Sequence, residues 1–162
     1  GIMAVFGAPV ETHDHADKAL AAAREMLARM HFFNERMIDA GLGKGFKMGI
    51  GLNTGPVMSG NVGSERRLEY TAIGDTTNTA ARLEGMTKGT PYQLYISAET
   101  RDALSEVPED FEFVEEMAVR GREASLRVWG LVEDDDVSAL DPAEPPAPGE
   151  DPPPEPIWTP TS

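Results

Sequence analysis

The sequence predicts an α/β sandwich in which a largely antiparallel sheet carries helices on one face. Three observations lead there. A long apolar stripe recurs at three- and four-residue steps, several short segments alternate in polarity or form brief apolar runs, and Gly- and Pro-rich turns separate them without internal repeat.

Residues 2–6, IMAVF, read as a short buried strand closed by Gly7 and Pro9. Ala16, Ala19, Leu20, Ala23, Leu27, Met30 and Phe33 then mark one face of an amphipathic helix that reaches about Ala40 and stops at Gly41 and Gly43. Phe46, Met48, Ile50 and Leu52 alternate as in a half-buried strand before a Gly55-Pro56 turn. Residues 56–62 and 68–73 can pair as a hairpin, and a helix from about Asp75 to Thr87 follows, with Asp75 or Thr76 placed to cap its first amides. QLYIS is strand-like, and Ser97 can cap a short helix through Leu104. Strands near 111–119 and 125–132 would close the domain as a hairpin around Arg120-Gly121-Arg122.

At 162 residues the chain can bury one modest core. No apolar run approaches a membrane span and nothing reads as a signal peptide. Cysteine is absent, which excludes disulfide and thiolate chemistry and fits a reducing, cytoplasmic setting. Gly1 stands where an initiator Met would, the mark of a processed or excised chain.

The net charge of −14 is concentrated: residues 133–162 hold nine acidic residues, no Lys or Arg, and nine of the thirteen prolines. Self-repulsion and missing backbone donors predict a disordered or polyproline-like tail, either a solvated linker or a ligand for SH3-type partners. The chain lacks the basic field that duplex nucleic acid requires.

The most informative stretch is 68–84, LEYTAIGDTTNTAARLE, where Asn78 and Arg82 lie four residues apart behind an Ile-Gly-Asp turn. At helical spacing the two side chains share one face. Taken alone, such a pair describes an ordinary solvated helix face; the ordered conjunction of strand, turn and helix is what singles it out. With KMGIGLNTGPVMSGNVGSERR before it, GIMAVFGAPV at the start and VRGREASLRVWGL near residue 132, it resembles the class III adenylyl/guanylyl cyclase catalytic domain of bacterial type. The resemblance divides the chain into a catalytic domain over 1–132 and the tail over 133–162.

That resemblance implies a ferredoxin-like core and a nucleotidyl cyclase: ATP to 3′,5′-cyclic AMP and pyrophosphate in cyclic-nucleotide signalling, at a site shared by two protomers, expected to be a homodimer. Arg82 aligns with the transition-state arginine and Asn78 with the asparagine that orients the ribose. Thr71 takes the second purine-selecting position. Its hydroxyl both donates and accepts, so it separates adenine from guanine poorly; ATP is expected, with GTP the other candidate. Arg122 aligns with a basic phosphate contact, and Arg67 is a second candidate, although an arginine in a hairpin turn is ordinarily just solvated. No GxxxxGK[ST] loop and no Gly-Gly-Asp/Glu-Glu-Phe signature is present, which excludes P-loop and diguanylate cyclase chemistry.

His13 and His15 flank Asp14, but without a third ligand they are expected to pack or cap rather than bind metal. The eight methionines are scattered and read as core fillers. In the family, two aspartates hold Mg²⁺ or Mn²⁺ and precede a segment like GIMAVFG; with neither in this chain, the chain alone is expected to be inactive. A non-catalytic regulator or heterodimer-completing partner is the alternative.

Overall fold

A computed structural model describes residues 1–64, 67–118 and 125–131 of the chain. Helix α1 (His15–Asp39) is followed by β1 (Ile50–Leu52), the hairpin strands β2 (Met58–Ser64) and β3 (Arg67–Ile73), α2 (Asp75–Met86), β4 (Leu94–Ser97), α3 (Ala98–Ala103), β5 (Phe111–Met117) and β6 (Leu126–Leu131). One sheet has the order β1-β4-β6-β5; β2 and β3 form a second, two-stranded sheet. β1 runs parallel to β4, whereas β4–β6 and β5–β6 are antiparallel. The largely antiparallel α/β class is therefore as expected.

β4 is the centre of the domain, and all four of its residues are buried. Successive strand residues point to opposite faces, and both are covered. Leu94 and Ile96 meet Ala16, Leu20 and Ala23 of α1, while Tyr95 meets Leu83 of α2 together with Leu126 and Val128 of β6. The helices thus lie on both faces, where the sequence reading puts them on one. The reason is visible in β4, whose unbroken apolar run presents Tyr95 as well as Leu94 and Ile96 to a partner.

α2 lies directly on β1 because Gly51 in the strand and Gly49 just before it lack side chains. A Cβ on Gly51 would fall 2.8 Å from the Leu83 Cβ and against the backbone of α2, and one on Gly49 would strike the Thr87 side chain. Ile50 and Leu52, on the alternate positions, pack against the α1 side.

Two expected core contributions differ. Residues 2–6 form no strand, and Ile2 and Met3 are 85% and 58% exposed. A strand exists only with a neighbour to share its hydrogen bonds, and β1 pairs along one edge only among the described residues. Phe33 and Phe46 are also exposed. α1 has 25 residues, about 37 Å of helix at 1.5 Å per residue, and it overhangs a sheet whose central strands are much shorter. Beyond the overhang Phe33 stacks on Phe46 with ring centroids 6.2 Å apart. The Asn34 amide both donates to and accepts from the Phe46 backbone, each bond 2.7 Å. Phe46 and Met48 are thereby held outside β1, which begins only at Ile50.

The helix stops behave as the residues suggest. α1 ends at Gly41, whose φ of 68° suits glycine. Ser97 caps α3 by accepting from the Thr100 amide at 3.2 Å. The Arg120-Gly121-Arg122 turn and the acidic, proline-rich tail lie outside the described residues.

The contact of α2 with β1 predicts opposite effects at two glycines. Gly51→Ala forces overpacking against backbone and should destabilise the fold by about 1–3 kcal/mol. Gly85→Ala, in α2 with open space where its Cβ would go, should stabilise it by about 0.5–1 kcal/mol. Urea unfolding followed by circular dichroism checks both signs.

Candidate functional site

The candidate site is built where β3 turns into α2. Gly74 makes that turn with φ of 152°, a conformation strained for any residue with a side chain. The N-cap position is Gly74, so the two residues expected to cap, Asp75 and Thr76, stand inside the first turn instead. Thr76 instead turns its hydroxyl to the Pro56 carbonyl at 2.7 Å, and the Thr77 hydroxyl donates to the Gly74 carbonyl at 2.8 Å. The expected cap is lost because Thr76 lies on the inward face, 8% exposed. Asp75 still places negative charge in the first turn, where the helix dipole favours it.

Thr76, Thr79 and Leu83 make up the buried face of α2. Asn78 and Arg82 are exposed, one turn apart on the outward side. Neither side chain has a hydrogen-bond or ion-pair partner among the described residues. On one helix face a fixed guanidinium charge thus accompanies an amide that can both donate and accept.

The other predicted residues are spread along the hairpin. Thr71 pairs across the ladder with Gly60, on the strand that feeds α2. Arg67 pairs with Ser64 at the opposite end of β3, roughly 20 Å from Ile73 at the rise of a strand. Arg122 lies outside the described residues. The structure therefore brings Asn78 and Arg82 together, sets Thr71 on the connected strand and leaves Arg67 distant.

Loop 53–56 is a structural part of the site that the sequence reading passed over. Asn53 donates from Nδ2 to the Thr76 carbonyl at 3.0 Å, and Thr54 donates to the Thr100 hydroxyl at 3.2 Å. Gly55 lies against Thr76, where a Cβ would come within 2.8 Å of its hydroxyl oxygen. The available signal was GIGLNTG itself, since glycines alternating with Ile50 and Leu52 announce a close backbone approach.

The described residues do not fit a metal ion: no group of three or more His, Asp or Glu among them is gathered to hold one. Asp14 is engaged by Lys18 at 2.9 Å, a bond that holds its carboxyl below the ordinary aspartate range. His15 packs beneath Gly7, where a Cβ would lie 3.0 Å from that of His15. No helix among the described residues is long and apolar enough to cross a membrane.

A four-stranded sheet with helices on both faces and a strand-turn-helix junction beside it matches the fold of solved cyclase catalytic domains. The chain matches the adenylate and guanylate cyclase catalytic domain family over residues 1–132 and belongs to that family. Adenylate cyclase 1 of Rhizobium meliloti is 41% identical over 87 residues, 54% of this chain and 13% of that protein. A Mycobacterium tuberculosis protein is 37% identical over 127 residues, 78% of this chain and 22% of its own length. The chain thus spans less than a quarter of these relatives. Among solved structures, the adenylyl cyclase CyaB from P. aeruginosa superposes with TM-score 0.69 at 26% identity, covering 81% of this chain and 66% of that one. The guanylyl cyclase Cya2 gives 0.64 at 33% identity, with 78% and 62% covered.

Proposed function

We propose that this chain supplies one half of a composite adenylyl cyclase site, which converts ATP to 3′,5′-cyclic AMP and pyrophosphate at the seam between two protomers. The observation that carries the reading is the exposed pair Asn78 and Arg82, one turn apart on the outward face of α2, in a chain of the cyclase family.

The reaction forms a bond from the ribose 3′-oxygen to the α-phosphorus and breaks the bond to the departing pyrophosphate. Holding the hydroxyl in line and stabilising charge on the phosphoryl oxygens are its two demands. Asn78 orients the ribose through its amide. Arg82 meets the gathering phosphoryl charge with a planar fork that lysine lacks. Thr71 contacts the purine, Arg122 adds charge at the phosphates, and Arg67 reaches them only across the seam.

Magnesium or manganese ions belong to the family's chemistry as the resemblance describes it. Their carboxylate ligands are assigned to the companion half of the site, while this chain's own residues bind the nucleotide, orient its ribose and stabilise the phosphoryl charge. The second protomer is a cyclase catalytic domain that carries those carboxylates, working in the cytoplasm. ATP is preferred because the R. meliloti relative bears the name adenylate cyclase and Thr71 admits adenine; GTP is the competing substrate.

Purified alone with ATP and Mg²⁺ or Mn²⁺, the chain should form no cyclic nucleotide above background; turnover by a homogeneous preparation would overturn the composite site. Mixed with a complete cyclase disabled at its own counterparts of Asn78 and Arg82, the chain should restore cyclic AMP synthesis, whereas its Arg82→Ala form should not. Equal activity from both mixtures would sink the shared-site reading. In the restored mixture, Arg82→Ala should lower kcat about a hundred- to a thousandfold with little change in KM, as expected for a group acting on transition-state charge.

A further inference from the structure

We infer that Asn53 is a positioning residue for the site on α2. It fixes the first turn of the helix, and with it the direction in which Asn78 and Arg82 face. The functional part of this inference rests on the cyclase reading above; the structural part does not.

The N-cap of α2 is Gly74, which has no side chain to offer, and the first turn is gripped from outside the helix. Two bonds from loop 53–56 take part in this grip. The Thr76 carbonyl accepts from Asn53 Nδ2 at 3.0 Å, and the Pro56 carbonyl accepts from the Thr76 hydroxyl at 2.7 Å. Because a carbonyl only accepts, the Asn53 amide must turn its nitrogen toward Thr76. The gripping loop is itself anchored, since Thr54 bonds Thr100, and Thr100 in turn lies within the Ser97 cap of α3. A chain of hydrogen bonds therefore runs from the α3 cap through loop 53–56 to the turn that carries Asn78.

Asn53 touches neither Asn78 nor Arg82, so its effect passes through the backbone. Thr76 is two residues before Asn78 and six before Arg82. A small rotation of the first turn swings both side chains together. Displacements of about 1 Å from a distant change can lower turnover a hundredfold where geometry is demanding.

Asn53→Asp tests this with minimal change of shape, replacing the donor with an oxygen that repels the Thr76 carbonyl. In amide hydrogen exchange on the full chain, the amides of Asn78, Thr79 and Ala80 should exchange at least tenfold faster, while those of Leu83 to Met86 change less than twofold. Uniform acceleration along α2, or none, would overturn the positioning role whatever the chain's activity. In the mixed assay, Asn53→Asp should lower kcat at least tenfold with KM for ATP within twofold; an unchanged kcat beside the exchange effect would confine Asn53 to stability. Should the unaltered chain restore no activity, the composite-site reading fails while the exchange result still decides the placement of the helix turn. Asn53→Ala, which loses the donor without repulsion, should accelerate exchange at the same amides to a lesser degree; an effect equal to that at Leu83 to Met86 would count against the inference.

Discussion

The direct contact of helix α2 with strand β1 is the constraint on which the rest of the domain depends. It exists because Gly49 and Gly51 leave the helix-facing side of the strand bare, so that Leu83 and the helix backbone come down onto it. Protein interiors have few voids to absorb an added methyl group. From this one contact follow the buried stripe of Thr76, Thr79 and Leu83, the outward direction of Asn78 and Arg82, and the nearness of loop 53–56 to the first helical turn. Tyr92 and Gly130 repeat the device on the same side of the sheet, where the absent side chain of Gly130 admits the Tyr92 ring.

Much of this was legible from sequence, and the reasons are local. The stripe of α1, the strand at 68–73, the Ser97 cap and the glycine stop at Gly41 are each decided by residues within one or two turns of themselves, and each formed. Asn78 and Arg82 were legible because helical spacing alone puts them on one face. What failed depended on residues far away in sequence. IMAVF has the composition of a strand but no neighbour among the described residues to pair with, and Phe33 continues the α1 stripe beyond the end of the sheet. Thr76 has the chemistry of a cap, yet the Pro56 carbonyl, twenty residues earlier, takes its hydroxyl.

Asn53 was missed for a related reason. A lone asparagine beside a Thr-Gly-Pro turn reads as turn chemistry, and only the crossing of β1 and α2 brings it to the Thr76 carbonyl. The glycines at 49 and 51 carried the missing information, because two side-chain-free positions on one face of a strand imply a close neighbour there. Reading them as packing signals would have placed α2 over β1, and loop 53–56 beside its first turn.

The site divides into parts of different rigidity, and the division has chemical sense under the cyclase reading. Asn78 and Arg82 stand on a helix pinned by the strand below it and by loop 53–56 at its start. Charge stabilisation gains most from such pinning, since a preorganised donor needs no rearrangement as the phosphoryl charge grows. Thr71 stands on a separate two-stranded sheet, joined to the main body through Gly74 and α2. A two-stranded ribbon is marginal in isolation, so it can shift more readily than the helix that carries Arg82. Base choice and phosphoryl chemistry would then be carried by separable elements. On that reading a substitution on the hairpin would retune the purine contact without moving Arg82, and the converse would not hold, because any shift of α2 drags Gly74 and the end of β3 with it.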